Sequence, residues 1–292
     1  MKNRINGNLK LAVQKNGRLT ESSIQLLRNC NLDIEKFDDR LIVSVSNYKL
    51  TLLFLRDDDI PEYVQDGVAD LGIVGEDIVR ESNADVKVVI KLGFGKCKLR
   101  IGIPEEAELN DIFSLREKRI ATSFPNILNN FLTQNNINAK VINISGSVEV
   151  APTLGISDFI CDLVSTGNTL KLNKLKSSVT IFNSEAVLIK NKDLIQSADK
   201  FSIYSGLLSR IESVLNAKNS KYLMMNIPKD SLCQILNIIP SLKSPTILSL
   251  AEENQFAVHA VIPAEKFWEI VDDLKSVGAS GILLLPIENI VL

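Results

Sequence analysis

Apolar and polar residues alternate through Leu9-Lys10-Leu11-Ala12-Val13-Gln14, which predicts a strand, and helical spacing begins at Thr20 in TESSIQLLRNC, with Glu21 in the first turn. Residues 40–45 (RLIVSV) and 50–56 (LTLLFLR) read as a hairpin or as adjacent strands around Asn47 and Tyr48. A helix is expected from Asp58 or Asp59 to Gln65, with Pro61 in its first turn; a short apolar strand at 70–75 and a helix over 76–81 follow. KLRIGIP at 98–104 opens a second region, which holds KRIATS, a helix near 126–135, AKVINIS, a helix near 148–155, and the strand and turn of DFICDLVSTGNTL. SEAVLIKN at 184–191 reads as another strand, and 192–217 as a helical link.

Alternation of this kind predicts α/β lobes, each a mostly parallel sheet flanked by helices. The expected division is 1–97 for a first lobe, with part of 184–218 returning to it, and 98–183 for a second, with Gly95–Lys98 as the crossover. From Lys221 the order becomes strand (KYLMMNI), helix (SLCQILNIIP), strand (PTILSLA), strand (FAVHAVIP), helix (EKFWEIVDDLKSVGA) and strand (GILLLPI). That is the ferredoxin-like order, expected over 219–292.

Composition narrows the function classes. Hydrophobic residues make up 45% and charged residues 23%, and 33 basic against 35 acidic side chains give a formal charge of −2. A balanced chain has no global attraction to nucleic acid or anionic membrane, so an anionic ligand needs a local site. The first residues lack the apolar stretch of a secretory signal, and no run approaches a membrane span, so the cytoplasm is expected. Cys30, Cys97, Cys161 and Cys233 lie far apart, which argues against zinc or disulfides and for buried thiols. His259 is the sole histidine and sits in an alternating strand, which argues against Ser-His-Asp and Cys-His mechanisms.

The segment Asp162-Leu163-Val164-Ser165-Thr166-Gly167-Asn168-Thr169-Leu170 carries the most chemistry. An apolar strand ends in an acid and turns, through small and hydroxyl-bearing residues, into a helix. Backbone N–H groups, hydroxyls and a helix N-terminus together make an anion cradle, and Gly167 permits close approach of an oxyanion. An ordinary capped turn fits the same residues. Neither G-x-x-x-x-G-K-[ST] nor G-x-G-x-x-G after a strand occurs.

These residues, with Glu149-Val150-Ala151-Pro152 before them, resemble the motif of the ATP phosphoribosyltransferase family. The turn is also similar to the phosphoribosyl pyrophosphate loop of other phosphoribosyltransferases, except that Cys161 stands where those commonly carry a second acid. Lys15-Asn16-Gly17-Arg18-Leu19, Arg56 to Pro61 and Gly67 to Gly75 extend the resemblance. Ser244 to Ile247 and Gly278 to Leu283 resemble the regulatory domain of the family's long form.

The resemblance implies a two-lobed, periplasmic-binding-protein-like catalytic body with a C-terminal regulatory domain. It implies attack of adenine N1 of ATP on C1 of phosphoribosyl pyrophosphate, release of pyrophosphate, and Mg2+ as the cofactor. It places Ser165, Thr166, Gly167, Asn168 and Thr169 on the 5-phosphate and Asp162 on the ribose. Glu149 and Asp70 become candidates for ribose or magnesium contacts, and Lys15, Arg18 and Arg56 for neutralising phosphates. Gly72 is a candidate for substrate approach, although it and Gly75 also suit packing. Arg18 also suits a solvated loop charge, and Asp57 to Asp59 suit capping of the next helix better than chemistry. Histidine is the implied inhibitor, held between regulatory modules of neighbouring subunits at Leu242, Thr246, Ser280 and Gly281, and a homo-hexamer is the implied assembly. A two-lobed solute receptor, a non-catalytic homologue and a transferase acting on another base are the alternatives.

Overall fold

LKLAVQ forms β1 (Leu9–Gln14), buried along nearly its whole length because neighbouring strands and helices cover both faces. The computed structural model describes residues 7–35, 40–109, 111–164, 167–193 and 198–292. After β1 come α1 (Thr20–Asn29), β2 (Ile42–Ser44), β3 (Leu50–Leu55), α2 (Ile60–Gln65), β4 (Leu71–Gly75), α3 (Glu76–Ser82) and β5 (Lys87–Lys91). The chain then leaves this first sheet. A second one takes β6 (Cys97–Pro104), β7 (Arg119–Thr122), β8 (Lys140–Asn143), β9 (Phe159–Val164) and β10 (Leu175–Ser184), with α4 (Pro125–Gln134) and α5 (Asn168–Leu172) packed on it. The return strand β11 (Ala186–Lys190) completes the first sheet in the order β2-β3-β1-β4-β11-β5, and the second runs β10-β6-β9-β7-β8.

This is the expected two-lobed α/β body, but its sheets are mixed where mostly parallel ones were expected. Among the described residues, only β3-β1-β4 and β9-β7-β8 pair in parallel. The β2-β3 hairpin and β11, which arrives from the other lobe, add antiparallel pairs to the first sheet. In the second, β6 pairs antiparallel with both β9 and β10. The helix expected near 148–155 is a correction too. Only Val148–Val150 forms a 3-10 turn, entered through Ser147 at φ 50°. Pro152 and the left-handed Gly155 break what would follow.

Ala12, Ile60, Val64, Val74 and Ile189 centre the first lobe's core, and Leu99, Ile101, Ile120 and Leu128 that of the second; Ile78 of α3 packs against both. The lobes are joined at residues 92–96 and at Glu185, and these crossovers bond each other: Leu92 N donates to Ala186 O and Ala186 N to Phe94 O, both at 2.9 Å.

Helix α6 (Ala198–Lys218) leads to β12 (Ser220–Pro228), α7 (Leu232–Ile238), β13 (Thr246–Ser249), β14 (Gln255–Pro263), α8 (Phe267–Ser276) and β15 (Ser280–Pro286). The strands form an antiparallel sheet ordered β13-β14-β12-β15, the ferredoxin-like topology. Its core is Leu223, Met225, Val258, Ala260, Ile262, Ile235, Val271 and Leu274. By contact density the chain divides into two compact units, Met1–Arg28 with Leu32–Tyr204, and Asn29–Asn31 with Ser205–Leu292. None of the described helices is long and apolar enough to cross a membrane. Cys30, Cys97 and Cys161 are buried thiols as expected, whereas Cys233 is exposed.

Candidate active site

Parallel pairing of β1 with β3 and β4 brings Gln14, Arg56 and Gly75 to one end of the first lobe. There the Lys15–Leu19 loop folds around the buried Gln14 amide, whose Oε1 accepts from Leu19 N at 3.0 Å and whose Nε2 donates to Asp57 Oδ2 at 2.8 Å. Lys15 is half-buried, and Arg18 and Arg56 are exposed. Arg18 Nη2 donates to Asp77 Oδ2 at 3.0 Å. Burial works against the Arg18 charge, and Asp77, Cys97 and Asp57 more than restore it, so its pKa is raised.

The acidic run behaves differently from expectation. Asp59 is the N-cap of α2 but makes no side-chain capping bond, and Asp57 instead accepts from Gln14. The run therefore caps α2 by position but gives its N-terminus no side-chain hydrogen bond. Burial, then the charges of Asp57, Asp59 and Asp77, push the Asp58 carboxyl up, against the pull of Arg56.

In the second lobe, β9 carries Ile160, Asp162 and Val164 on one face, cross-strand from Gly102, Arg100 and Lys98 of β6. Burial pushes the Asp162 carboxyl up; Leu163 N, donating at 2.7 Å, opposes this, and the Glu149 charge adds to the rise. Glu149 itself stands on the 3-10 turn at Val148–Val150. Gly167 lies at φ 79° and caps α5, which begins at Asn168 and Thr169, both exposed. A Cβ on Gly167 would meet only Val164 Cγ1, at 3.8 Å, so conformation and not crowding requires glycine there. Ser165 and Thr166 lie outside the described residues.

A cavity of about 450 Å3 opens at the crossovers between Val164 and Cys97, Ser184 and Glu185. Lys91, Lys96, Lys98 and Arg100 also line it. Lys91 is occupied by Glu76 at 3.0 Å and Glu185 at 3.7 Å. Lys98 and Arg100 were not singled out from the sequence, although their alternation in KLRIGIP and the antiparallel register place them beside Asp162 and Val164.

Two candidates stand apart. Asp70 is buried at the opposite end of β4, where Oδ2 accepts from Lys10 N at 2.8 Å and Oδ1 pairs with Lys200 at 2.7 Å. One oxygen is thus used within the sheet, on β1, and the other on Lys200 at the start of α6. Gly72 is a packing position: a Cβ there would lie 2.7 Å from Ile60 Cγ2 and 3.1 Å from Ile189 Cγ1.

In the second unit, Thr246 is exposed on edge strand β13, paired with His259, whose Nδ1 lies 2.9 Å from the Tyr222 hydroxyl. Ser280 and Gly281, the latter at φ 56°, begin the opposite edge strand β15. Three strand spacings, roughly 14 Å, separate the two edges. Leu242 is half-exposed, and its N–H donates to Val261 O at 2.8 Å.

A two-lobed α/β body whose strand ends gather cations on one lobe and carboxylates beside a left-handed turn on the other, followed by a ferredoxin-like module, is a transferase architecture suited to polyanionic substrates. The chain belongs to the ATP phosphoribosyltransferase family. The family's profile matches residues 56–213, and that of the HisG C-terminal domain matches 217–289. ATP phosphoribosyltransferase of Cytophaga hutchinsonii is 47% identical over 97% of this chain and 98% of its own. That of Bacteroides thetaiotaomicron is 45% identical over 97% and 99%. The structure of the ATP phosphoribosyl transferase (HisG:HisZ) complex from Thermotoga maritima matches 70% of this chain and 98% of its own, at 29% identity and a TM-score of 0.58. The chain is accordingly a pentosyltransferase that joins ATP to phosphoribosyl pyrophosphate in histidine biosynthesis, and the solute-receptor alternative is set aside.

Proposed function

We propose that phosphoribosyl pyrophosphate sits on the second lobe, with its 5-phosphate in the 165–169 turn and its ribose against Asp162, while Lys15, Arg18 and Arg56 of the first lobe neutralise phosphate oxygens. The observation that carries this reading is the position of Asp162, half-buried near the end of β9 with its backbone-bonded carboxylate, just ahead of the left-handed Gly167 turn that opens α5. A carboxylate and a backbone anion cradle recognise the two ends of a phosphoribosyl group and have little else to recognise.

The residues fit magnesium. Carboxylate oxygens are the donors Mg2+ prefers, and Asp162 and Glu149 both offer them in the second lobe. Among the described residues, no three His, Cys, Asp or Glu side chains converge, so Glu149 and Asp162 would share the ion with substrate oxygens. When bound, magnesium offsets charge on the departing pyrophosphate. Asp70, with both oxygens engaged, has no part in it. Adenine N1 already offers a lone pair, so the chain's residues need only align two polyanions and withdraw charge from the leaving group.

For the second unit the reading is histidine sensing. Thr246 of one chain, with Leu242 nearby, and Ser280 with Gly281 of a neighbour would face one ligand in a hexamer, because the two edges of one sheet stand too far apart to share it. Inhibition follows if histidine prefers one of two global arrangements. In the cytoplasm, this would match synthesis to demand.

An absorbance assay of the N1-substituted product tests both halves. Product should need ATP, phosphoribosyl pyrophosphate and magnesium together, and should fall when histidine is added. Undiminished turnover in excess chelator would remove the metal, and insensitivity to histidine would remove the regulatory role.

A further inference from the structure

A fully buried carboxylate with one cationic partner contributes little net stability, since desolvation opposes the Coulomb attraction. Asp77 is such a group. Its side chain is 0% exposed, whereas that of its partner Arg18 is 43% exposed. Oδ2 accepts from Arg18 Nη2 at 3.0 Å, and Oδ1 accepts from the Ser184 hydroxyl at 2.6 Å. The Ser184 oxygen in turn accepts from Asp77 N at 3.0 Å. The carboxylate folds back over Gly75, where a Cβ would collide with it.

The loop bearing Arg18 is pinned at two adjacent residues. At Leu19 it is held by Gln14, which is itself held by Asp57. At Arg18 it is held by Asp77, with Cys97 a further partner of the guanidinium. Ser184 ends the last strand of the second sheet, and with Cys97 it forms part of the wall of the cationic cavity at the crossovers. The exposed half of the guanidinium therefore has its direction set by a rigid group that touches no solvent and is itself clamped from the crossover.

We propose that Asp77 is a positioning residue for the phosphoribosyl transfer, acting through Arg18, with Ser184 tying that position to the crossover between the lobes. This rests on the reading of Arg18 as a cation for substrate phosphate. A planar guanidinium with one edge fixed presents its remaining N–H donors in a defined plane, as phosphate recognition requires. The expected consequence of losing Asp77 is a cation of full charge that no longer points one way.

A double-mutant cycle tests the proposal. Asp77→Asn keeps the shape, and Arg18→Gln leaves an amide that still donates to Asp77. Each single variant should lower kcat/KM by about tenfold, the loss expected for one charge-assisted contact. In the Arg18→Gln background, Asp77→Asn should cost nothing more, because the residue through which it acts is gone. Ser184→Ala should show a smaller loss with the same dependence on Arg18, and it decides the matter if circular dichroism shows Asp77→Asn unfolded. Full kcat/KM for both substrates in Arg18→Gln would sink the reading of Arg18. An impaired Arg18→Gln in which the Asp77 or Ser184 substitution subtracts its full cost again would leave that reading standing and overturn the positioning role.

Discussion

The carboxylate of Glu81, in α3 of the first lobe, closes the N-terminus of α4 in the second: its two oxygens accept from Asn126 N at 2.9 Å and Ile127 N at 3.0 Å. Asn126 Nδ2 answers by donating to Glu81 O at 2.8 Å. A helix start leaves N–H groups without partners, and here the other lobe supplies the acceptor. Glu81→Ala should lower stability by about 1–2 kcal/mol, the usual cost of a lost cap, in chemical denaturation. Glu81→Gln, which retains one acceptor, should lose less; equal losses would show that the cap contributes nothing specific.

Asp162 is held in the fold at a pKa above that of a free carboxyl, chiefly by burial. A group shifted this way contributes stability below its unfolded value and loses it as pH rises through its folded value. At neutral pH its charge is therefore a burden on folding. Asp162→Asn should melt higher than the parent, with the advantage shrinking as pH falls through the carboxylate range, while activity is lost. Thermal scans at neutral pH and near pH 4 make the comparison.

Gly167 should tolerate volume but not conformation. Gly167→Ala puts a Cβ into open space at a positive φ, which costs about 1 kcal/mol, and Gly167→Asn should cost less because asparagine accepts the left-handed region. Equilibrium binding of phosphoribosyl pyrophosphate should weaken more in the alanine variant than in the asparagine one, with ATP binding little changed in either.

Thr246→Val keeps the β-branched shape of an exposed strand residue and removes its hydroxyl. Inhibition by histidine should move to higher concentrations while uninhibited turnover stays the same. Gly281→Asn is the matching change on the other edge, since asparagine tolerates the left-handed backbone there. Unchanged inhibition curves in both would remove these edges from the regulatory site.

Elements with one dominant face were legible in the sequence. The alternation of FAVHAVIP puts Val258, Ala260 and Ile262 in the core and leaves His259 on the other face, as β14 shows. Strands β5 and β10 carried no such pattern. LKSSVTIFNS mixes polar and apolar residues because β10 lies at an edge and is half-covered on both faces. The Asp162 strand and its glycine turn could be read locally. The Asp77–Ser184 contact could not, since 107 positions separate the two residues and nothing in either neighbourhood marks the other. Asp57 misled for a related reason: aspartates before a helix usually serve that helix, and the residue that claims this one is Gln14, from another strand.

The mutual hydrogen bonds of the two crossovers bear on how the body can move. Leu92, Phe94 and Ala186 knit residues 92–96 and the Glu185 link into a narrow ribbon. A pair of segments bonded side by side bends across its width more readily than it shears along its length, since shear breaks the bonds and bending does not. Any opening and closing of the two lobes should then be a swing about this one line, and a pair of spin labels, one on each lobe, should report a single distance coordinate through the catalytic cycle; several independent distances would sink that expectation.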